Sequence, residues 1–150
     1  MRVIAAQKDD LNQIIKLRHD AFLHCAPGFY DTVQVQTLLD DYDENELQWM
    51  ILNHNIFVCE ENGELLGTAG WKDDFIRHVY VRPDFHGHGI GKRLLEHAET
   101  DYINRTRKTY IKAGVILYAK GFYEKNGFYL VSREKDWDGS EYYLMQKDFQ

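Results

Sequence analysis

Hydrophobic and polar residues alternate with two different periods along the chain, and the changes of period predict the order of its elements. Short apolar runs predict strands at Arg2 to Ala6, Ile56 to Glu60, Leu65 to Trp71, Phe75 to Val81, Thr109 to Val115, Phe128 to Arg133 and Glu141 to Asp148. Apolar residues at helical spacing predict helices from Asp10 to Pro27, from Val33 to His54, from Ile90 to Asn104 and from Tyr118 to Asn126. The second of these changes phase near Asp43, which predicts two helices or a bend.

The connections between these elements indicate one mixed sheet. Asn62 and Gly63 predict a hairpin turn between two antiparallel strands. A helix joins the strand Phe75 to Val81 to the strand Thr109 to Val115, so these two strands are expected to be parallel. The element order therefore predicts an α/β domain with one central sheet. With 150 residues and no Pro- or Ser-rich linker, a single domain over residues 1–150 is expected.

The stretch that begins at Phe75 combines a strand, a glycine-rich turn and a helix. Pro83 ends the strand because it has no N–H to donate. The turn carries glycines at alternate positions, Gly87, Gly89 and Gly91. A helix that opens directly from such a turn presents free N–H groups and the positive end of its dipole, which suits a phosphate. The spacing fits neither a P-loop nor a dinucleotide fingerprint, and a purely structural turn is the alternative.

Composition and charge disfavour several classes of protein. The formal net charge is −6, which disfavours a non-specific nucleic-acid binder. Cys25 and Cys59 form no CxxC pair and no metal-like cluster, which favours a reducing, cytoplasmic environment over a disulfide scaffold. We see no apolar run long enough for a signal peptide or a membrane span, so no membrane association is expected.

A second motif changes the interpretation of the glycine turn. The segments Val81 to Leu95 and Tyr118 to Phe128 resemble the GNAT superfamily of acyl-CoA-dependent N-acetyltransferases. The resemblance implies the GNAT fold, a mixed central sheet of about seven strands with helices on both faces and a splayed pair of parallel strands. It implies direct transfer of an acetyl group from acetyl-CoA to a primary amine of a small molecule or peptide, without a metal. It also leaves a homodimer open.

The same resemblance assigns the cofactor contacts. The family's first motif reads Arg/Gln-x-x-Gly-x-Gly/Ala, and His86, Gly89 and Gly91 occupy its defined positions. Backbone N–H groups along the turn would hold the coenzyme A pyrophosphate, namely those of His86, Gly87, His88, Gly89, Ile90, Gly91 and Lys92. The backbone of Val79 and Val81 would bind the pantetheine arm, with the Val79 N–H polarising the acetyl carbonyl. His86 departs from the family's Arg or Gln, which affects only the side-chain contribution.

Tyr123 is the candidate catalytic acid. Many family members place a tyrosine near the cofactor sulfur at this position, where a phenol protonates the departing thiolate. The alternative is that Phe122, Tyr123 and Phe128 form only the packing face of a short helix. At Ile116 many relatives have Asn, so one side-chain contact to the cofactor is expected to be absent.

The base that takes the amine proton is less well indicated. The candidates are Asp73, Asp74 and His78. Strict alternation along the strand places His78 on one face with Ile76 and Tyr80. The alternatives are a solvated turn for the two aspartates and a packed or surface histidine for His78. The pair His86 and His88 lacks a third ligand, so no metal site is expected.

The acceptor site is expected between the first two helices and the final hairpin. This region contains His24, Pro27 to Tyr30, Trp49 and Trp137 to Tyr142. A nearby acidic group would attract a polyamine or a basic peptide, although a solvated helix face is the simpler interpretation. It comprises Asp40, Asp41, Asp43, Glu44 and Glu46. The alternative to an enzyme is an acyl-CoA-binding regulatory or interaction module of the same fold without efficient catalysis.

Overall fold

The computed structural model describes residues 1–150 and contains seven strands and five α-helices. The strands are β1 Arg2–Ala5, β2 Ile56–Glu61, β3 Glu64–Lys72, β4 Phe75–Val81, β5 Tyr110–Ile116, β6 Tyr129–Lys135 and β7 Glu141–Asp148. The helices are α1 Leu11–Cys25, α2 Thr32–Asp40, α3 Glu44–Leu52, α4 Ile90–Thr106 and α5 Lys120–Lys125. The predicted break near Asp43 is confirmed, since α2 and α3 are separate helices there.

The strands form one mixed sheet in the order β1-β2-β3-β4-β5-β7-β6. Its neighbouring strands are antiparallel except β4 and β5, which are parallel as the connecting helix required. Strand β7 lies between β5 and β6, so the final hairpin adds to the sheet with its last strand innermost. The predicted α/β class, about seven strands and a parallel pair are therefore confirmed.

Helices cover both faces of the sheet, and each face has its own hydrophobic core. On one face, Leu94, Leu95 and Tyr102 of α4 pack with Tyr123 of α5 against the strands. On the other face, α1 and α3 pack on the sheet through Ile14, Leu17, Leu47, Met50 and Ile51. The site described below lies where the sheet between these two layers opens.

Helix α1 also contains a buried cation. Only 4% of Arg18 is exposed, although arginine is seldom fully buried unless its charge is paired. Its guanidinium donates to the carbonyl oxygens of Leu38, Leu39 and Asp41 at the end of α2. A helix C-terminus leaves carbonyls without intrahelical partners, so the cation both satisfies them and complements the helix dipole.

Gly70 tests how tightly the α3 face is packed. A Cβ at Gly70 would lie 2.7 Å from Met50 Cε and 2.8 Å from the Asn55 carbonyl oxygen. We expect Gly70→Ala to lower the free energy of unfolding by about 1–3 kcal/mol, measured by chemical denaturation. Gly114→Ala is the matched control on β5, because its Cβ would meet nothing closer than Tyr142 at 3.8 Å. Equal stability of the two variants would contradict this packing.

Candidate active site

The central sheet is open between its two parallel strands. β4 and β5 pair only at Phe75 with Lys112 and at Ile76 with Ala113. Beyond these two pairs the strands diverge around a cleft of about 1130 Å³. Side chains and backbone of both strands, α1, the glycine turn and the segment that contains α5 line this cleft. A strand that leaves its neighbour in this way exposes backbone donors and acceptors that an extended ligand can pair with.

Val81 directs its backbone into this opening. The N–H of the next residue, Arg82, donates to the Leu66 carbonyl oxygen on β3 at 2.8 Å. Backbone groups of successive strand residues point to opposite sides, so the N–H and C=O of Val81 point toward β5. His86 Nε2 lies 3.1 Å from the Val81 oxygen, which leaves the Val81 N–H as the group available to a ligand.

The glycine turn forms an uncapped helix N-terminus at the mouth of the cleft. Gly87 and Gly89 adopt left-handed backbone conformations, with φ of 83° and 77°. A Cβ at either position would meet nothing within 4 Å, so backbone conformation rather than space favours glycine there. α4 begins at Ile90 with no side-chain cap, and its first amide groups therefore have no intrahelical partner.

Gly91 connects the two motifs on which the family resemblance rests. A Cβ on Gly91 would lie 3.0 Å from Cε1 of Phe122 in α5. The third glycine of the turn therefore lets Phe122 of α5 pack closely against the start of α4. This contact positions the helix that carries Tyr123 beside the turn.

The two histidines of the turn hold its shape. His86 binds the Val81 oxygen, and His88 Nδ1 lies 3.0 Å from the Phe85 oxygen. The His86 ring also contacts His24 of α1, with ring centroids 6.0 Å apart. No group of three or more His, Cys, Asp or Glu side chains that could hold a metal ion is present.

Tyr123 is buried and borders the cleft. Only 8% of the residue is exposed. Its ring packs edge-on against Phe122 and Phe128, each at 5.2 Å between centroids. Burial raises the pKa of the phenol well above its usual value. Tyr123 therefore belongs to the core and also lines the cleft, with its phenol protonated at neutral pH.

Most of the predicted cofactor residues come together around one opening. Those that line the cleft are Val79, Val81, His86, Gly87, Gly89, Ile90, Gly91 and Lys92. His88 does not line it, because its ring folds back onto the turn. Ile116, where relatives have Asn, lies at the end of β5 on the cleft wall.

A β-bulge in β4 overturns the predicted alternation of its side chains. Thr68 of β3 pairs with Tyr80 and Gly70 pairs with Arg77, so two residues of β4 stand opposite one of β3. His78 takes the left-handed conformation there, with φ of 58°. The placement of His78 and Tyr80 on the same face as Ile76 was wrong, because the extra residue shifts the faces by one position.

His78 therefore lies on the α3 face, where it meets Glu46. His78 Nε2 is 3.0 Å from Glu46 Oε1, and Arg77 Nε is 3.9 Å from the same oxygen. The hydrogen bond from His78 and the charge of Arg77 lower the pKa of Glu46, so this carboxylate is ionised at neutral pH. From the sequence, Glu46 was expected only as one member of an acidic group.

These three side chains also line a second cavity of about 600 Å³, which shares wall residues with the cleft. The shared residues are Arg18, Asp41, Arg77, His78 and Tyr80. Asp41, Asp43 and Glu44 of the acidic group line the same cavity. Asp43 caps α3, because its side chain accepts the Glu46 N–H at 3.1 Å.

The other two base candidates lie elsewhere. Asp73 is exposed in the turn before β4 and is 3.9 Å from Lys72. Asp74 is at the closed end of the parallel pair, 3.9 Å from Lys112 Nζ and 3.4 Å from the Tyr110 hydroxyl. Neither aspartate lines the cleft.

The expected acceptor region is partly assembled. Tyr30 donates to the Glu141 oxygen at 2.8 Å and accepts from the Leu117 N–H at 3.0 Å. It thereby ties the connection between α1 and α2 to the far wall of the cleft. Ser140, Glu141 and Tyr142 line that wall, whereas Trp49 and Trp137 lie outside the cleft. Trp137 is 83% exposed.

Comparison with known proteins shows which family the chain resembles. Residues 28–149 match the family described as acetyltransferase (GNAT) domain. The L-methionine sulfoximine/L-methionine sulfone acetyltransferase of Salmonella typhimurium is 32% identical, with 77% of this chain and 70% of that protein covered. The L-amino acid N-acyltransferase MnaT of Escherichia coli is also 32% identical, over 63% of this chain and 59% of its own length.

Solved structures agree on the fold. A GCN5-related N-acetyltransferase from Rhodopseudomonas palustris superimposes with a TM-score of 0.87 at 19% identity, over 99% of this chain and 95% of the other. The PaiA N-acetyltransferase from Thermoplasma acidophilum, solved in complex with coenzyme A, gives a TM-score of 0.75 at 20% identity, over 99% and 98%. The chain belongs to the GNAT acetyltransferase family and is an acyltransferase. No helix is long and apolar enough to cross a membrane.

Gly89 tests whether the turn binds coenzyme A. A non-glycine residue is strained at this φ by about 1–2 kcal/mol, so Gly89→Ala is expected to relax the turn away from the ligand. We expect the coenzyme A Kd, measured by calorimetry, to rise about tenfold. Gly63→Ala is the matched control, since Gly63 has the same φ of 79° in the remote turn between β2 and β3. A coenzyme A Kd that changes equally in both variants would argue against binding of coenzyme A by the glycine turn.

Proposed function

We propose that this chain transfers an acetyl group from acetyl-CoA directly to the primary amine of a small molecule or peptide. The observation that carries the proposal is that one cleft joins an uncapped helix N-terminus, a strand with a free backbone donor and a buried, protonated tyrosine. The names of the two bacterial relatives, which act on amino acids and amino-acid analogues, support a small-molecule acceptor.

Binding of the acyl donor would use backbone groups almost entirely. The N–H groups of Ile90, Gly91 and Lys92 at the start of α4 would bind the pyrophosphate. The Val81 N–H would pair with the pantetheine arm as a neighbouring strand would. The Val79 N–H would donate to the carbonyl oxygen as negative charge develops on it, which is the usual role of an oxyanion donor.

Tyr123 would complete the transfer. As the new N–C bond forms and the C–S bond breaks, the sulfur leaves as a thiolate and takes the phenol proton. A raised pKa keeps the phenol protonated at neutral pH, so Tyr123 is in the form that an acid requires. No alkaline loss of activity due to Tyr123 is then expected below the ordinary tyrosine pKa of about 10.

His78 would accept the proton that the amine releases. Glu46 is ionised and can only accept, so His78 Nε2 carries the hydrogen of their bond. The lone pair is then on Nδ1, a buried nitrogen with no hydrogen-bond partner in the chain. The acceptor amine, or a water that carries the amine proton, would donate a hydrogen bond to this Nδ1. Glu46 would stabilise the imidazolium that forms when the proton is transferred.

Tyr123→Phe tests the acid and the function together. We expect kcat for thiol release from acetyl-CoA with a panel of amines to fall about 10²-fold, with the coenzyme A Kd unchanged. Tyr118→Phe is the matched control because Tyr118 is a second tyrosine of the same cleft. A larger loss in Tyr118→Phe would move the acid to that residue. Coenzyme A binding without thiol release on any amine would support the non-catalytic module instead.

His78→Asn tests the base. Asn tolerates the left-handed conformation of the bulge, so the fold is expected to survive. We expect kcat to fall about 10²-fold, because an amide side chain cannot accept the amine proton. An unchanged kcat in the variant would overturn the assignment of the base to His78.

A further inference from the structure

The bulge in β4 brings two consecutive side chains into one cavity. Strict alternation would place Arg77 and His78 on opposite faces of the sheet. Because the extra residue is His78, both side chains instead reach the α3 face, where each lies near the same Glu46 oxygen. A cation therefore stands beside the histidine that lines the acetyl-transfer cleft.

Arg77 has donors that the chain does not use. Its Nε is buried and has no hydrogen-bond partner, and the nearest carboxylate oxygen is 3.9 Å away. The guanidinium carbon lies 5.5 Å from the centre of the Phe75 ring, so the aromatic ring supports the group without occupying its donors. The side chain as a whole is 38% exposed, so a ligand from outside the chain can reach its terminal nitrogens, which make no hydrogen bond within the chain.

The second arginine of this cavity differs in this respect. The Arg18 guanidinium donates to three carbonyl oxygens at the end of α2. Its donors serve the fold and are not free for a ligand. Arg77 is thus the arginine of the cavity whose guanidinium N–H groups are not used by the chain. A planar guanidinium can bind a carboxylate through two parallel hydrogen bonds.

The acidic residues of the cavity suit an ammonium group of the same ligand. Asp41, Asp43 and Glu44 line the wall at the connection between α2 and α3 and the start of α3. Their negative charge attracts the ammonium group of a ligand into the cavity, and Arg77, the neighbour of His78 in β4, attracts a carboxylate carried next to that group. The two charges together are complementary to a zwitterion.

We propose that Arg77 binds a carboxylate of the acceptor, so that the preferred acceptors are amino acids rather than simple amines or polyamines. This proposal rests on the proposed function, since it places the amine of such an acceptor beside His78 and the acetyl-transfer cleft. The bulge is then the device that sets the carboxylate anchor and the proton acceptor side by side.

Matched pairs of acceptors test the proposal. Thiol release from acetyl-CoA is measured with leucine against 3-methylbutylamine, phenylalanine against phenethylamine, and lysine against cadaverine. We expect the wild type to prefer the amino acid of each pair by about 10²-fold in kcat/KM, the range of a charge-assisted hydrogen-bonded contact. In Arg77→Gln the preference is expected to collapse, and Arg77→Lys is expected to restore only part of it. Arg2→Gln, which removes one positive charge on β1 outside both cavities, is expected to keep the preference.

The outcomes separate this proposal from the proposed function. Turnover of amines with no preference for the amino acid, or a preference for cadaverine over lysine, would overturn the carboxylate anchor and leave acetyl transfer intact. Absence of turnover on every acceptor would contradict both. Calorimetry with coenzyme A present provides a second readout that needs no catalysis. Amino-acid Kd is expected to rise at least tenfold in Arg77→Gln, and an unchanged Kd would overturn the anchor.

Discussion

The structure depends on the short pairing between the parallel strands β4 and β5. Two residue pairs hold these parallel strands together, and everything beyond Ile76 and Ala113 is open. The other strand pairs of the sheet are antiparallel and continue over four to seven residue pairs. The opening therefore lies in the middle of an otherwise continuous sheet. A gap at this place costs ladder hydrogen bonds, and it leaves unpaired backbone groups with which an extended ligand can pair.

The bulge at His78 is the second constraint. A left-handed histidine in a strand is strained, and such strain persists where the surroundings enforce it. Here the surroundings are Glu46 of α3, which binds the imidazole, and the register of β3, which accommodates the extra residue. The bulge places Val79 on the α4 side of the sheet, and it turns Arg77 and His78 to the α3 side. In the proposed function, donor binding and acceptor binding are thus separated onto the two faces of one strand.

The sequence predicted the parts of this site that depend on backbone. Alternate glycines, a proline at the end of β4 and helical spacing after Gly91 are local signals, and they indicated the turn and the parallel pair correctly. The bulge could not be predicted, because a register shift is decided by the partner strand and by α3. For the same reason Glu46 looked like one carboxylate of a solvated run, and nothing local in α1 singled out Arg18. Only the carbonyl ends of α2, brought close by the fold, explain why that arginine is buried.

The turn, the open edge of β4 and Tyr123 are proposed to form one coenzyme A site. A crystal structure of the protein with coenzyme A bound tests this proposal most directly. We expect the pyrophosphate to lie against the first amide groups of α4, the pantetheine arm to lie between β4 and β5, and the sulfur to lie within hydrogen-bond distance of the Tyr123 hydroxyl. Coenzyme A bound outside the gap between β4 and β5, or with its sulfur beside Tyr118 and away from Tyr123, would contradict the proposed site.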